Sequence, residues 1–187
     1  MFNDKYGLTQ AVLDGRKTMT RRIIDQRTEG WLRMQYNERY DDWHRRSPYM
    51  YTETLAIAQA YQDIYNDAYH IGLYGRTTGW TNKMFVRAKL MPRHIKITNI
   101  RVEHLQDISD EDCLREGVVK ANIGYYVEGL KCKDWEKESH VEMENGETLK
   151  LFPTPREAFA ALIDKVSGKG TWESNPLVWV YNFELVN

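Results

Sequence analysis

The chain has 187 residues, a formal net charge of −1, and 42% hydrophobic and 12% aromatic residues. Its length suits a single domain with insertions around a real core, and its near-neutral charge excludes a surface coated in basic residues for general nucleic-acid binding. Two cysteines, Cys113 and Cys132, with no CxxC pattern and no signal-like segment, exclude a disulfide-rich secreted scaffold and fit a reducing cytoplasm.

Residues 6–14 carry Leu8, Ala11 and Val12 at helical spacing, and Gly15 stands where a helix ends on a left-handed residue. Arg16, Lys17, Arg21 and Arg22 then crowd around the hydroxyls of Thr18 and Thr20. So much positive charge beside a chain break points to docking of something anionic or polar. Thr18, Ile23 and Ile24 favour extended structure over 17–24. A regular strand there puts Thr18, Thr20 and Arg22 on one face and Lys17, Met19 and Arg21 on the other. The bland alternative is a solvated basic edge strand.

Residues 25–51 are polar and aromatic without clean periodicity, with Trp31, Tyr36, Tyr40 and Trp43 among many charges. They read as an insertion with short helical pieces. Residues 52–61 read as a buried strand and 62–80 as a second insertion. Strands are expected at 83–90 and 95–105, with the mixed alternation of the second marking a bend. Ser109 before Asp110, Glu111 and Asp112 announces a helix that ends at Glu116 and Gly117.

Residues 118–152 read as a variable insertion containing a hairpin over 141–152, turned by the type I′ pair Asn145-Gly146. Thr154-Pro155-Arg156-Glu157 combines an N-cap threonine, proline at N1 and a capping box. The helix it starts has Phe159, Leu162, Ile163 and Val166 on one face and stops at Ser167-Gly168. Residues 177–186 form a closing strand, with Val178, Val180 and Asn182 on one face and Trp179, Tyr181, Phe183 and Leu185 around them. The five histidines are dispersed without ligand spacing, and no apolar run approaches membrane length, so no metal, cofactor or membrane partner is expected.

The spacing Gly15-x-Lys17-x-x-Thr20-x-Arg22 resembles the signature of the ASCH domain, a PUA-like β-barrel family linked to RNA and modified nucleosides. Two further segments resemble that pattern in order. Residues 52–61 are similar to the strand after the family's Gly-Asp or Gly-Glu turn, with Thr52 in the glycine position before Glu53. Residues 105–112, leading to Glu116-Gly117, resemble the helix before the family's acid. The closing strand also fits, so the likeness covers about half to two-thirds of the chain. It implies an α+β fold over 1–187: a PUA-like mixed or mostly antiparallel β-barrel of five to seven strands with peripheral helices. The insertions at 25–51, 62–80 and 118–152 lie outside the likeness.

Some small members of that family are amidohydrolases that remove the acetyl group of N4-acetylcytidine, and others are proposed RNA binders. The catalytic lysine, threonine and glutamate of the amidohydrolase branch fall on Lys17, Thr20 and Glu116. Gly15, Arg21, Arg22 and Gln59 are the accompanying ligand-binding positions. A threonine needs a neighbouring base to become nucleophilic, and a lysine serves as base only when burial or nearby cations depress its pKa. Lys17 and Thr20 lie three apart, so a regular strand would point them to opposite faces.

The resemblance therefore implies a cytoplasmic protein binding RNA or a modified nucleoside or nucleotide where 15–22 meets the end of the 109–116 helix. Two alternatives stand beside turnover. One is a non-catalytic RNA-binding module using the same pocket. The other is an accessory protein that binds an unknown protein partner through its aromatic insertions. Those aromatics either stack bases or pack the insertions against the barrel. Arg87 faces either the pocket or solvent, and Cys113 reads as a small core residue.

Overall fold

The ten-residue closing strand organises the molecule. In the computed structural model, which describes residues 2–35 and 46–186, β8 (Leu177–Val186) pairs antiparallel with β1 (Met19–Ile23) on one side. On its other side it pairs antiparallel with β3 (His94–His104), and β2 (Thr54–Ala56) flanks β3. The strand order β1-β8-β3-β2 makes a curled antiparallel half-barrel. A register shift between Ile97 and Asn99 bends β3, as its mixed alternation suggested. Peripheral helices complete an α+β fold.

Alternation along β8 explains why it is apolar on both faces. Val178 and Val180 enter one core with Met19, Leu105, Ile108, Cys113, Phe159 and Leu162. Trp179, Tyr181 and Phe183 enter a second core with Val12, Ile24, Ile57, Ile95 and Ile97. Each large side chain so buried contributes about 1.5–3 kcal/mol relative to exposure. Cys113 lies in the first core, where burial pushes its thiol up to about 12.

The helices expected near residues 6–14, 109–116 and 154–166 form. α1 (Leu8–Leu13) is followed by Gly15 at φ +73°. α2 (Gln26–Gln35) lies in the first insertion; the reading of Tyr36, Tyr40 and Trp43 falls outside the described residues. α3 (Tyr61–Ile64) and α4 (Ala68–Tyr74) fill the second. In α5 (Asp110–Arg115) the Ser109 hydroxyl accepts the Asp112 N–H at 3.1 Å. In α6 (Pro155–Val166) the Thr154 hydroxyl accepts the Glu157 N–H at 3.2 Å. A short α7 (Thr171–Ser174) follows Gly170 and was not expected.

Three local expectations need correction. Residues 83–90 form two 3-10 turns, Lys83–Phe85 and Ala88–Leu90, instead of a strand. The Asn82 side chain caps the first by accepting the Met84 N–H, and Met84 and Phe85 face solvent. Of 52–61 only β2 is ladder; the Ile57 N–H bonds to Arg93 beyond it, and Tyr61 starts α3.

Residues 118–130 hold two short strands, β4 (Val119–Lys120) and β5 (Tyr125–Tyr126), paired as a ribbon. The hairpin of β6 (His140–Glu142) and β7 (Thr148–Lys150) forms, but not on a type I′ turn. Only Gly146 has positive φ, and the Asn145 side chain accepts the Glu147 N–H instead. The Gly146 N–H to Met143 O bond closes a type I turn with a glycine bulge. Bridges Tyr125 to Phe152 and Lys131 to Leu149 tie the two ribbons together.

Candidate functional site

Because β8 pairs with β1 on one side only, the far edge of β1 is open among the described residues. A cavity of about 780 Å³ lies along that edge, with Lys17, Thr20, Arg21, Arg22 and Glu116 on its wall. Phe2 and Lys83 contribute from other segments, and Leu162 and Val166 from α6. Val166, expected on the buried face of α6, is exposed at this rim.

Lys17 and Thr20 do stand on opposite faces: Thr20 pairs with Tyr181, whose ring enters the second core, whereas Lys17 turns with Arg21 to Glu116. After the left-handed Gly15, the Lys17 N–H bonds to Ala11 O and the Thr18 N–H to Arg115 O. Residues 17 and 18 are therefore held by α1 and the end of α5, and β1 begins only at Met19. Thr20 follows inside the strand. A cavity at a sheet edge draws side chains from both faces, so no bulge is required for Lys17 and Thr20 to line it.

Lys17 is 2% exposed and Glu116 4%. The Lys17 ammonium donates to Met19 O at 2.7 Å, Glu116 O at 2.7 Å and Glu116 Oε2 at 2.6 Å. These match the three protons of an ammonium. The Phe2 ring centroid lies 5.9 Å from the same nitrogen. Burial is the main cause that lowers the Lys17 pKa; Glu116 works against it, while Arg22 and Arg21 add to it.

Glu116 caps α5 at its C-terminus, and Gly117 follows at φ +110°. A Cβ on Gly117 would meet Leu8 Cδ2 at 2.9 Å, so glycine permits the close turn beside the buried acid. Glu116 is thus not a solvated residue of the last helical turn.

Arg21 is the second buried cation. Its guanidinium donates to Glu116 Oε1 at 3.1 Å, Asp112 Oδ2 at 3.0 Å and Glu103 Oε1 at 2.6 Å. Burial opposes its charge, but Glu116, Glu103 and Asp112 together outweigh that and raise its pKa. Arg101 closes the network by donating to Asp112 at 2.7 Å and Glu103 at 2.8 Å. The run Lys17–Glu116–Arg21–Asp112/Glu103–Arg101 is a buried-to-surface ladder of alternating charge.

Five expected site residues thus meet at one cavity: Lys17, Thr20, Arg21, Arg22 and Glu116. Two do not. Gly15 shapes the turn and lies off the wall. Gln59 follows β2, the opposite edge of the sheet from β1, which removes it from the cavity. Its N–H meets Met91 Sδ at 3.4 Å, and among the described residues its buried side-chain oxygen has no partner. Arg16 is half-exposed and pairs with Asp14 and Glu128. Arg87 lies off β3, with its N–H on the Tyr61 hydroxyl.

Glu103, Asp112 and Arg101 escaped the sequence reading. Asp112 had a sufficient explanation as a first-turn acid, and Glu103 acquires its partner only through the pairing of β3 and β1 on β8. Among the described residues no hydrogen bond engages the Thr20 hydroxyl, which leaves it available to a ligand. No group of three His, Cys, Asp or Glu side chains is placed to hold a metal ion among the described residues, and no helix is long and apolar enough to cross a membrane.

An arrangement of this kind offers a hydroxyl, an amine whose charged form is disfavoured by burial, and a carboxylate within reach of that amine. No family model, no curated protein and no solved structure matches the chain.

Proposed function

We propose that the chain is an ASCH-like protein with a PUA-like barrel, which holds RNA or a modified nucleoside or nucleotide in the cavity at Lys17, Thr20 and Glu116. In the same proposal the site hydrolyses the amide of an N4-acylated cytidine in a reducing cytoplasm. The observation that carries this reading is the buried Lys17–Glu116 pair, 2.6 Å apart, on a wall shared with the unengaged Thr20 hydroxyl.

The chemistry runs in two stages. Lys17, once neutral, takes the Thr20 proton as Thr20 Oγ attacks the acyl carbon. The C–N4 bond then breaks, the leaving nitrogen receives that proton, and the acyl group rests on Thr20. Water attacks this ester, releases the acid and restores the hydroxyl. Glu116 holds Lys17 in place and stabilises its charged form after each proton transfer. The nearby Arg21 and Arg22 favour anionic groups of the ligand and oppose the charge on Lys17.

Incubation with N4-acetylcytidine and chromatography for cytidine tests turnover. Cytidine appears with the native chain and not with the Lys17→Ala/Thr20→Ala double variant. Release that survives in the double variant overturns the catalytic roles.

One observation favours recognition without turnover as the second reading. All three protons of the Lys17 ammonium already have acceptors, which holds the charged form in place. That reading expects nucleoside or RNA binding that Lys17→Ala weakens, with no cytidine formed.

A further inference from the structure

The segment that gives Thr81, Asn82, Lys83 and Met84 to the first cavity also gives Thr77, Gly79, Phe85 and Arg87 to a second. This second cavity is about 410 Å³ and is walled by the rings of Tyr61 and Tyr74. Their centroids are 4.7 Å apart with planes inclined at 32°. Tyr65 lies 6.0 Å from Tyr74, and His70 stacks parallel on Tyr65 at 4.1 Å. Gly79 lets the segment rest on this wall, since a Cβ there would come within 2.7 Å of the Tyr61 ring. The Tyr61 hydroxyl accepts the Arg87 N–H at 2.9 Å and fixes the loop.

Two features of this cavity are unexplained by packing. Phe85 and Leu73 on its wall are 60% and 50% exposed. The Arg87 side chain makes no ion pair or hydrogen bond among the described residues, and neither do Arg76 or Lys89 of the same segment. Residues 57–93 carry five bases (Arg76, Lys83, Arg87, Lys89, Arg93) against two acids (Asp63, Asp67), with Lys83 paired to Asp4 outside the segment, on a chain whose overall charge is −1. Planar rings offered beside an uncompensated guanidinium suit a flat heteroaromatic ring joined to an anion. A peptide of apolar side chains would leave Arg87 unneutralised, and an acidic one would leave the ring wall unused.

We propose that this cavity is a binding subsite for a base and its phosphate in a single-stranded polynucleotide. The base stacks against the Tyr74 and Phe85 side of the wall, and Arg87 meets the phosphate. The proposal concerns a second cavity and stands independently of turnover at Lys17. If both sites act, the shared 77–87 segment makes a strand, not a free nucleoside, the ligand that engages them together.

Fluorescence anisotropy with a labelled mixed-sequence single-stranded RNA, and a DNA of the same sequence, tests this on the full chain. Binding of either supports the proposal, and the stronger of the two identifies the preferred sugar. Arg87→Gln, an exposed position, weakens binding about tenfold at low salt and reduces the slope of log K against log salt by about 0.7. Tyr74→Leu keeps apolar bulk, removes the ring and weakens binding about tenfold with little change in slope.

Absence of binding to both strands at low ionic strength overturns the proposal, as does affinity unchanged in both variants. Binding lost in Lys17→Ala but intact in Arg87→Gln and Tyr74→Leu also overturns it, by assigning the strand to the first cavity alone. Cytidine release from N4-acetylcytidine is measured separately and is unaffected by Arg87→Gln, so failure of either idea leaves the other standing.

Discussion

Lys17 Nζ lies 2.6 Å from Glu116 Oε2, and both side chains are almost wholly removed from solvent. The pair is not isolated, because Arg21 holds the other oxygen of the same carboxylate at 3.1 Å. One acid therefore compensates two buried cations. Its removal leaves both without that compensation, which a surface ion pair would not do.

Glu116→Gln preserves shape and removes the charge. It lowers stability by about 3–5 kcal/mol, read from urea unfolding, because Lys17 and Arg21 stay buried. Adding Lys17→Met recovers part of that loss, since one of the stranded charges is then gone. A double-mutant cycle measures the coupling. Additive losses would show that the two side chains do not interact as the distance implies.

The lowered pKa of Lys17 has a definite sign in stability. In the unfolded chain the amine binds its proton below its usual 10.5, and in the folded chain only at lower pH. Between those values the unfolded state holds more protons, so this group's contribution to stability rises with pH by up to about 1.4 kcal/mol per unit and levels off above 10.5. Cys113 acts oppositely: its thiol, raised from 9.0 to about 12, weakens the fold as pH climbs through that interval. The stability of the native chain minus that of Lys17→Met cancels the cysteine. That difference increases with pH in the alkaline range; a flat one contradicts the burial argument.

Thr20 separates chemistry from structure. Its hydroxyl makes no hydrogen bond among the described residues, and valine has its shape and suits a strand. Thr20→Val therefore changes stability by less than about 1 kcal/mol, while the proposed release of cytidine from N4-acetylcytidine falls by about a thousandfold or more. Thr20→Ser keeps the hydroxyl and retains part of the rate. Thermal melts and chromatography read the two effects, and turnover unchanged in Thr20→Val removes the hydroxyl from the mechanism.

The two thiols differ by position. Cys113 is fully buried with a raised pKa, and Cys132 is partly exposed. A thiol-specific reagent modifies Cys132 in the native protein and reaches Cys113 only in denaturant. Fast modification of both in the native state would place Cys113 outside the first core.

What could be read from the sequence was local in origin. The Thr154 cap and Pro155 start of α6 are written in consecutive residues, and the alternation of β8 in ten. Lys17 and Glu116 were legible as candidates through spacing, but their contact closes across 99 residues. The burial of Arg21 was not legible, because Glu103 and Asp112 reach it only after β3 and α5 pack. Residues 83–90 misled for the opposite reason: their apolar side chains suggested a strand, but Met84 and Phe85 face solvent beside the cavities instead of entering a core.

Thr52 supplies a test of backbone strain. It has φ +67°, a left-handed conformation that suits a β-branched residue poorly. The turn is held nonetheless: the Thr52 N–H bonds to Ile97 O, Glu53 O accepts the Ile97 N–H, and the Glu53 carboxylate accepts the Met50 N–H at 2.7 Å. Glycine relieves roughly 1–2 kcal/mol of strain and gives back about 0.4–1 kcal/mol through the freer unfolded chain. Because the threonine side chain is exposed, little packing is lost. Thr52→Gly therefore raises stability by about 0.5–1 kcal/mol in urea unfolding, whereas Thr52→Val, equally branched, does not. A destabilised glycine variant would show that the left-handed turn costs the native chain nothing.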